Sequence, residues 1–139
     1  MFDYGLKGIL LVMVMLLMVF TNSFLVYAGV WNLYGDISSH DPSLTKEDDL
    51  WWVFQTGKGL PVKYSTDGAN WTQGTAIFSD SLDWWSDYAP NYDPNNDVWA
   101  PDISYYNGRW WLYYSVSEFG TNDSVIGLVS AASIVGGDW

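Results

Sequence analysis

The chain has 139 residues, with 16 acidic and five basic side chains, a formal net charge of −11 and no cysteine. This charge argues against nucleic acid as a partner, because binding to phosphate backbones requires lysine and arginine. Aromatic residues make up 19% of the chain, which excludes the aromatic-poor composition of disordered proteins.

The first 28 residues have the features of a secretory signal peptide. A weakly basic start leads into an unbroken apolar run from Ile9 to Phe20, and a short polar stretch leads to Ala28. Small residues at this point predict cleavage before Gly29. The run is shorter than the roughly 20 apolar residues of a membrane span, and an uncleaved anchor is the alternative. We therefore expect residues 29–139 to be secreted, without stable membrane association and without disulfides.

The exported part is predicted to be all-β. Short aromatic and β-branched runs alternate with turn residues, and no long segment has apolar residues at helical spacing. The predicted strands are residues 50–56, 61–66, 74–79, 109–117 and 125–131. Asp67-Gly68 and Asn107-Gly108 are typical of tight turns between paired strands.

An internal repeat organises these strands. The stretch "HDPSLTKEDDLWWVF" (40–54) is similar to "APDISYYNGRWWLYY" (100–114), and we align Asp41 with Asp102. Each unit holds up to four antiparallel strands, which is typical of a propeller blade; a β-sandwich is the alternative. Repeat folds usually need three or more units. We therefore expect about two blades of a longer propeller, incomplete in this chain and with an apolar radial face left open.

Asp41 and Asp102 are the candidate chemical groups of this arrangement. In a propeller the innermost strand of each blade begins near the axis, so both carboxylates would point towards the mouth of the channel. Glycoside hydrolysis needs one carboxylate that activates water or attacks, and another that protonates the leaving oxygen. The alternative for Asp41 is a turn residue whose side chain caps local N–H groups before Pro42.

Three stretches resemble the endo-arabinanases of glycoside hydrolase family 43. They are "HDPS" at 40–43, "YSTDGANWT" at 64–72, and a run at 82–131 that contains "VWAPDI" and "SVSEFGTNDSVIGL". "VWAPDI" is common across the family, including its xylosidases and arabinofuranosidases, whereas "SVSEFGTNDSVIGL" is closer to the endo-hydrolases. The resemblance implies a five-bladed β-propeller and inverting hydrolysis of α-1,5-L-arabinofuranosidic bonds in arabinan.

The resemblance also implies roles for individual residues. Asp41 would be the general base that deprotonates the attacking water. Gly120 would let a sugar approach the backbone, Trp99 and Phe119 would be sugar platforms, and Asp102 would line or brace the pocket. His40 would either orient Asp41 or face the core. The implied substrate-binding residues are Asp41, Trp99, Asp102, Phe119 and Gly120.

The other catalytic groups of the family would lie beyond residue 139. These are a glutamate that serves as general acid and an aspartate that tunes its pKa. Glu47 stands in the charged run "KEDD" and is interpreted as a solvated loop residue. Glu118 ends a strand beside the predicted pocket, but it is not at the position of the acid. We therefore expect residues 29–139 alone neither to hydrolyse arabinan nor to fold stably.

No metal site is expected, because the chain has one histidine and no cysteine. An ion at the channel centre is common in the family, but its ligands would lie downstream. We expect a monomer whose partner is a polysaccharide. The alternatives are a non-catalytic carbohydrate-binding propeller, or a related glycosidase acting on xylan or fructan. Fructan enzymes on related propellers retain configuration, with carboxyl groups about 5–5.5 Å apart against roughly 6.5–9.5 Å in inverting enzymes.

Overall fold

A computed structural model describes residues 29–137 and residue 139. The predicted signal peptide at 1–28 lies outside the described residues. From Trp31 onward the chain forms one unit of two sheets and one short helix. Across the described part of the chain, no helix has the length and apolar character needed to cross a bilayer.

The first sheet is an antiparallel meander with one parallel strand at its edge. Its strands lie in the spatial order β1-β5-β4-β3-β2, and β1 pairs in parallel with β5. The other four strands form the four-stranded antiparallel unit that is typical of a propeller blade. The strands are β1 (Tyr34–Gly35), β2 (Ser43–Glu47), β3 (Leu50–Phe54), β4 (Val62–Ser65) and β5 (Asn70–Gln73).

The second sheet is a three-stranded antiparallel meander in the order β6-β7-β8. A four-residue helix, α1 (Trp85–Tyr88), precedes it in the chain. The turn between β6 and β7 is Asn107-Gly108, with φ of 51° and 78°. Both values lie in the left-handed region that the two-residue hairpin turn requires. The strands are β6 (Trp99–Tyr106), β7 (Arg109–Ser117) and β8 (Ser124–Ala131).

The all-β prediction is confirmed, with α1 as the one helix of the described residues. The predicted strand at 74–79 is wrong, because the chain turns back one segment earlier, as β5. In that turn the Asp67 carboxylate accepts hydrogen bonds from the N–H groups of Asn70 and Ala69. These bonds, the backbone N–H of Asn70 first, hold the pKa of Asp67 below its ordinary range.

The repeat has one constant spacing. The hairpin pair Glu47–Leu50 of the first sheet matches the pair Tyr106–Arg109 of the second, and 106 − 47 and 109 − 50 both equal 59. Applied to Asp41, this spacing gives Ala100, and the two residues have φ of 47° and 46°. The predicted alignment of Asp41 with Asp102 is therefore wrong by two residues. Asp102 is the counterpart of Ser43.

The apolar core lies between the two sheets. Tyr114, in the middle of β7, is almost fully buried and accepts a hydrogen bond from Trp85 Nε1 at 3.2 Å. Its burial raises the pKa of its phenol. The core residues from the two sheets are Trp52, Phe54, Val62, Ile103, Trp110, Leu112, Tyr114 and Val116. The packing places the entrances of β2 and β6 side by side, since Ile103 N–H donates to Ser43 Oγ at 3.1 Å.

Candidate active site

Asp41 lies at the entrance of β2 in a backbone conformation that is uncommon for a residue other than glycine. Its φ is 47°, and Pro42 follows. Its carboxylate accepts a hydrogen bond on Oδ2 from the Thr56 hydroxyl at 2.9 Å. The side chain is 43% exposed, so the carboxylate remains open to solvent and to a ligand.

The local structure does not need the Asp41 carboxylate. Ala100, its counterpart in the second sheet, adopts the same left-handed conformation before Pro101 with only a methyl group. Among the described residues, no backbone N–H donates to the Asp41 carboxylate. The alternative of a side chain that caps local N–H groups is therefore not supported.

His40 lies beside Asp41 on the outside of the molecule. Its side chain is 70% exposed, and its Nε2 is 3.7 Å from Asp41 Oδ1. This exposure excludes the core position that the sequence left open. The distance is too long for a hydrogen bond, so His40 adjoins the carboxylate without fixing its orientation.

Trp99 and Phe119, each predicted to be a sugar platform, lie side by side. Their rings are stacked, with centroids 6.0 Å apart and an angle of 12° between the planes. Phe119 is 79% exposed, so the pair offers an open aromatic surface. The next residue, Gly120, has a φ of 80° and has no atom within 4 Å of the position of a Cβ, which leaves its backbone accessible.

The backbone joins this aromatic pair to the Asp41 loop. Gly57 and Val98 exchange two backbone hydrogen bonds, at 3.0 and 3.1 Å. They thereby hold the end of β3 against the start of β6. Ala100 N–H then donates to Thr56 Oγ1 at 2.8 Å. Trp99 therefore lies between two points of attachment to the segment that binds Asp41.

Asp102 is not joined to this group. It lies within β6, opposite Tyr113, and both side chains are exposed. Its neighbours Pro101 and Ile103 are buried towards the first sheet, so Asp102 faces the other way. In the described chain its carboxylate makes no hydrogen bond with Asp41 or with the aromatic pair. Its predicted role in lining or bracing the pocket stays a prediction.

The interpretation of Glu47 as a solvated loop residue is wrong. Its carboxylate accepts a hydrogen bond from Trp110 Nε1 at 2.7 Å, and others from Ser133 Oγ and the N–H groups of Ile134 and Val135. The side chain is on the face of β2 that packs against the second sheet. It therefore links the two sheets and is not available for catalysis.

Glu118 remains at the edge of the candidate site. Its carboxylate accepts a hydrogen bond from Asn96 Nδ2 at 3.4 Å, and it directly precedes Phe119. The described residues contain no group of three histidine, cysteine, aspartate or glutamate side chains that could hold a metal ion.

Thr56, which has a structural role at this site, was missed in the sequence, and so was the inward position of Glu47 at the far end of β2. Thr56 is only 7% exposed and follows Trp52 and Phe54 in the inward alternation of β3. A hydroxyl at an inward position among apolar residues needs a hydrogen-bond partner. This position in the alternation could have indicated the role of Thr56 from the sequence. Glu47 likewise follows Ser43 and Thr45 on the inward face of β2.

The site can bind a sugar ring and can take a proton from water, but among the described residues it offers only one suitable carboxylate. Asp41 Oδ2 is held by Thr56, while the rest of the half-exposed carboxylate can accept a proton from water. The stacked aromatic pair can hold the apolar face of a sugar ring. Hydrolysis of a glycosidic bond requires a second carboxyl group that acts as acid.

Comparisons with known proteins identify related glycoside hydrolases. The model of the family described as glycosyl hydrolases family 43 matches residues 35–139. An extracellular endo-α-(1→5)-L-arabinanase of Bacillus subtilis is 47% identical over 126 residues, which are 88% of this chain and 38% of that protein. An extracellular exo-α-(1→5)-L-arabinofuranosidase of Cellvibrio japonicus is 40% identical over 92 residues, 66% of this chain and 26% of that protein.

Solved structures give the same result. The family 43 endo-arabinanase from Bacillus licheniformis has a TM-score of 0.73 and 53% identity, covering 77% of this chain and 37% of that one. The Cellvibrio cellulosa α-L-arabinanase complexed with arabinohexaose has a TM-score of 0.66 and 37% identity, covering 70% of this chain and 30% of that one. The chain thus spans about a third of the length of the relatives it matches.

Proposed function

The chain belongs to the glycosyl hydrolases of family 43, and from this membership we propose that it supplies the catalytic base of a secreted arabinan-degrading enzyme. The proposed substrate is arabinan, with cleavage of α-1,5-L-arabinofuranosidic bonds. Relatives at 47% and 35% identity bear the names of endo-acting arabinan hydrolases. The proposal concerns the full-length product of the gene that encodes this chain.

The observation that carries the proposal is the contrast between Asp41 and Ala100. The two residues share a backbone conformation, and only Asp41 carries a carboxylate. We assign Asp41 the role of the general base that takes a proton from the attacking water while that water adds to the anomeric carbon. The second carboxyl group, a general acid that protonates the leaving oxygen, would come from outside residues 29–139. Inversion follows from this single displacement.

Substrate binding is assigned to the aromatic pair and its neighbour. A furanose ring would lie against the exposed face of Phe119, which is supported from behind by Trp99. Gly120 leaves room for the chain of sugars to approach the backbone. Asp102 is retained as a residue that lines or braces the same pocket. Secretion is proposed from the predicted signal sequence at 1–28, and two relatives are named extracellular.

The proposal is tested with Asp41→Ala in the full-length gene product, with debranched arabinan as substrate. Removal of the base is expected to lower kcat by about 10²- to 10⁴-fold and to leave arabino-oligosaccharide binding, measured by calorimetry, near that of the wild type. Asp49→Ala, an exposed acidic residue of the β2–β3 turn, is the matched variant with unchanged activity. Near-normal turnover by Asp41→Ala would remove Asp41 from the mechanism.

A second candidate function is carbohydrate binding without catalysis, and the exposed Trp99–Phe119 stack would serve it equally well. The two functions differ in the wild-type assay. Sustained release of arabino-oligosaccharides, with inverted anomers in the NMR spectrum of the fresh product, supports the hydrolase. Tight binding without product release by the full-length protein supports the binding module. Residues 29–139 alone are expected to release no product.

A further inference from the structure

The Thr56 hydroxyl lies between the entrances of the two sheets and bonds to both. Its Oγ1 accepts the backbone N–H of Ala100 at 2.8 Å and donates to Asp41 Oδ2 at 2.9 Å. The backbone N–H of Thr56 donates to the His40 carbonyl at 3.0 Å. Thr56 is almost fully buried, so its own side of these contacts is shielded from solvent.

The direction of the bond to Asp41 is fixed by the other bond. A backbone N–H can only donate, so Ala100 occupies a lone pair of Thr56 Oγ1. The single hydroxyl hydrogen is then free for the carboxylate, which can accept it. Threonine is also restricted at χ1 because it is branched at Cβ. The hydroxyl thus presents its hydrogen to Oδ2 from a fixed place.

We propose that Thr56 is a positioning residue for the general base, a role that rests on the function proposed above. By holding Oδ2 it fixes the plane of the Asp41 carboxylate and turns Oδ1 towards the reacting water. The left-handed backbone of Asp41 gives the side chain its direction, and Thr56 sets its rotation. Efficient proton transfer depends on such placement, and displacement of about 1 Å can lower the rate about 100-fold.

The repeat and a second contact between the sheets provide comparisons for this role. Thr56 corresponds by the 59-residue spacing to Ser115, whose hydroxyl lies 3.4 Å from Ser124 Oγ. The second sheet therefore keeps a hydroxyl at this position without a carboxylate partner. Ser43 offers a matched bond between the sheets, since its Oγ accepts Ile103 N–H at 3.1 Å, but it makes no bond with the Asp41 side chain.

The experiment compares Thr56→Val, Thr56→Ala, Thr56→Ser and Ser43→Ala in the full-length gene product. Thr56→Val and Thr56→Ala remove the hydroxyl and are expected to lower kcat on debranched arabinan about 10- to 100-fold, with KM within about twofold of wild type. Thr56→Ser restores the hydroxyl and is expected to retain kcat within about threefold. Ser43→Ala is expected to lower Tm with little change in kcat.

A second readout follows the bond itself, without substrate. Hydrogen exchange of the Ala100 amide is expected to be faster in Thr56→Val than in wild type and unchanged in Thr56→Ser. The proposal is overturned if Ala100 loses protection while kcat stays normal, or if Thr56→Ser and Ser43→Ala lose as much kcat as Thr56→Val. An inactive wild-type protein would instead contradict the proposed function, and Thr56 would then have no base to position.

Discussion

Glu47 connects the two sheets through one carboxylate. It accepts hydrogen bonds from Trp110 Nε1 and from the backbone of residues 134 and 135. Hydrogen bonds to a charged group contribute about 1.5–3 kcal/mol each, and a donor left unpaired in a buried place is costly. Glu47 therefore stabilises the packing that brings Asp41 and Ala100 side by side, although it lies at the far end of β2.

Replacement of Glu47 by alanine is expected to lower the free energy of unfolding by about 2 kcal/mol or more. The reason is that Trp110 Nε1 and the N–H groups at 134 and 135 lose their acceptor together. Urea unfolding followed by tryptophan fluorescence measures the change.

Asp49→Ala removes an exposed charge from the same acidic run, and its effect is expected to stay within about 0.5 kcal/mol. If the free energy of unfolding falls equally in Glu47→Ala and Asp49→Ala, the hydrogen bonds of Glu47 between the sheets contribute little to stability.

At the scale of elements, β7 and β8 fit together around a glycine. Gly127 in β8 pairs with Tyr114 in β7, and a Cβ at Gly127 would lie 2.3 Å from Tyr114 Cζ. Tyr114 cannot move aside, because it is buried against Phe78 and Trp85. The glycine is required here for the close approach of a side chain, and not for its backbone conformation.

Gly127→Ala is therefore expected to destabilise the protein by about 1–3 kcal/mol through overpacking. Thermal unfolding monitored by near-ultraviolet circular dichroism provides the measurement. Adding Tyr114→Leu to the same chain is expected to make the alanine less harmful than it is alone, because the clashing ring is gone. A fully additive double variant would contradict the steric explanation.

The strands show which signals in a sequence are local. β7 was predicted with both of its ends, because the aromatic-rich run "RWWLYYSVS" directly follows the Asn107-Gly108 turn. β5 was missed, because Asn70–Gln73 is mostly polar and exposed. Its residues therefore do not show the alternation of apolar and polar side chains that indicates a strand. The adjoining "GTAIFS" is apolar, but its backbone bonds run to residues 59, 60 and 62 in a loop across the end of β4.

The contacts that build the candidate site are of longer range. Thr56 and Ala100 are 44 residues apart, and Glu47 and Trp110 are 63 apart. A side chain's own sequence neighbours give no sign of such a partner. Asp41, Trp99, Phe119 and Gly120 could be proposed from family motifs, whereas the bonds that orient Asp41 required the register of the two sheets. A two-residue error in that register was enough to pair Asp41 with the wrong residue.

At the scale of the whole molecule, the second sheet has one covered face and one open face. The face of the second sheet that points away from the first exposes the large side chains of Tyr106, Tyr113, Ile126 and Leu128. A contiguous apolar surface of this kind usually marks a site of further packing. The open radial face expected from the repeat is therefore present in the described chain.

Residues 29–139 in isolation are expected to be only marginally stable, and their folded fraction is expected to self-associate through this face. The double variant Ile126→Lys, Leu128→Lys places charge on it and is expected to shift the apparent mass towards the monomer in sedimentation velocity over a range of concentrations. The control variant Thr72→Lys, Gln73→Lys adds the same two positive charges on β5. It therefore accounts for the effect of making the wild-type net charge of −11 less negative. Equal behaviour of both variants would place the association elsewhere.

The matching backbones of Asp41 and Ala100 separate shape from acidity in this protein. Both copies of the repeat have the same loop conformation, since an alanine is sufficient to form it. Only the first copy carries a carboxylate there. An aspartate at position 100 would need the same backbone conformation as Asp41, and the second sheet already has that conformation at Ala100. Reactive groups could thus be redistributed among such modules by one codon change at a time, without rebuilding the loops that carry them.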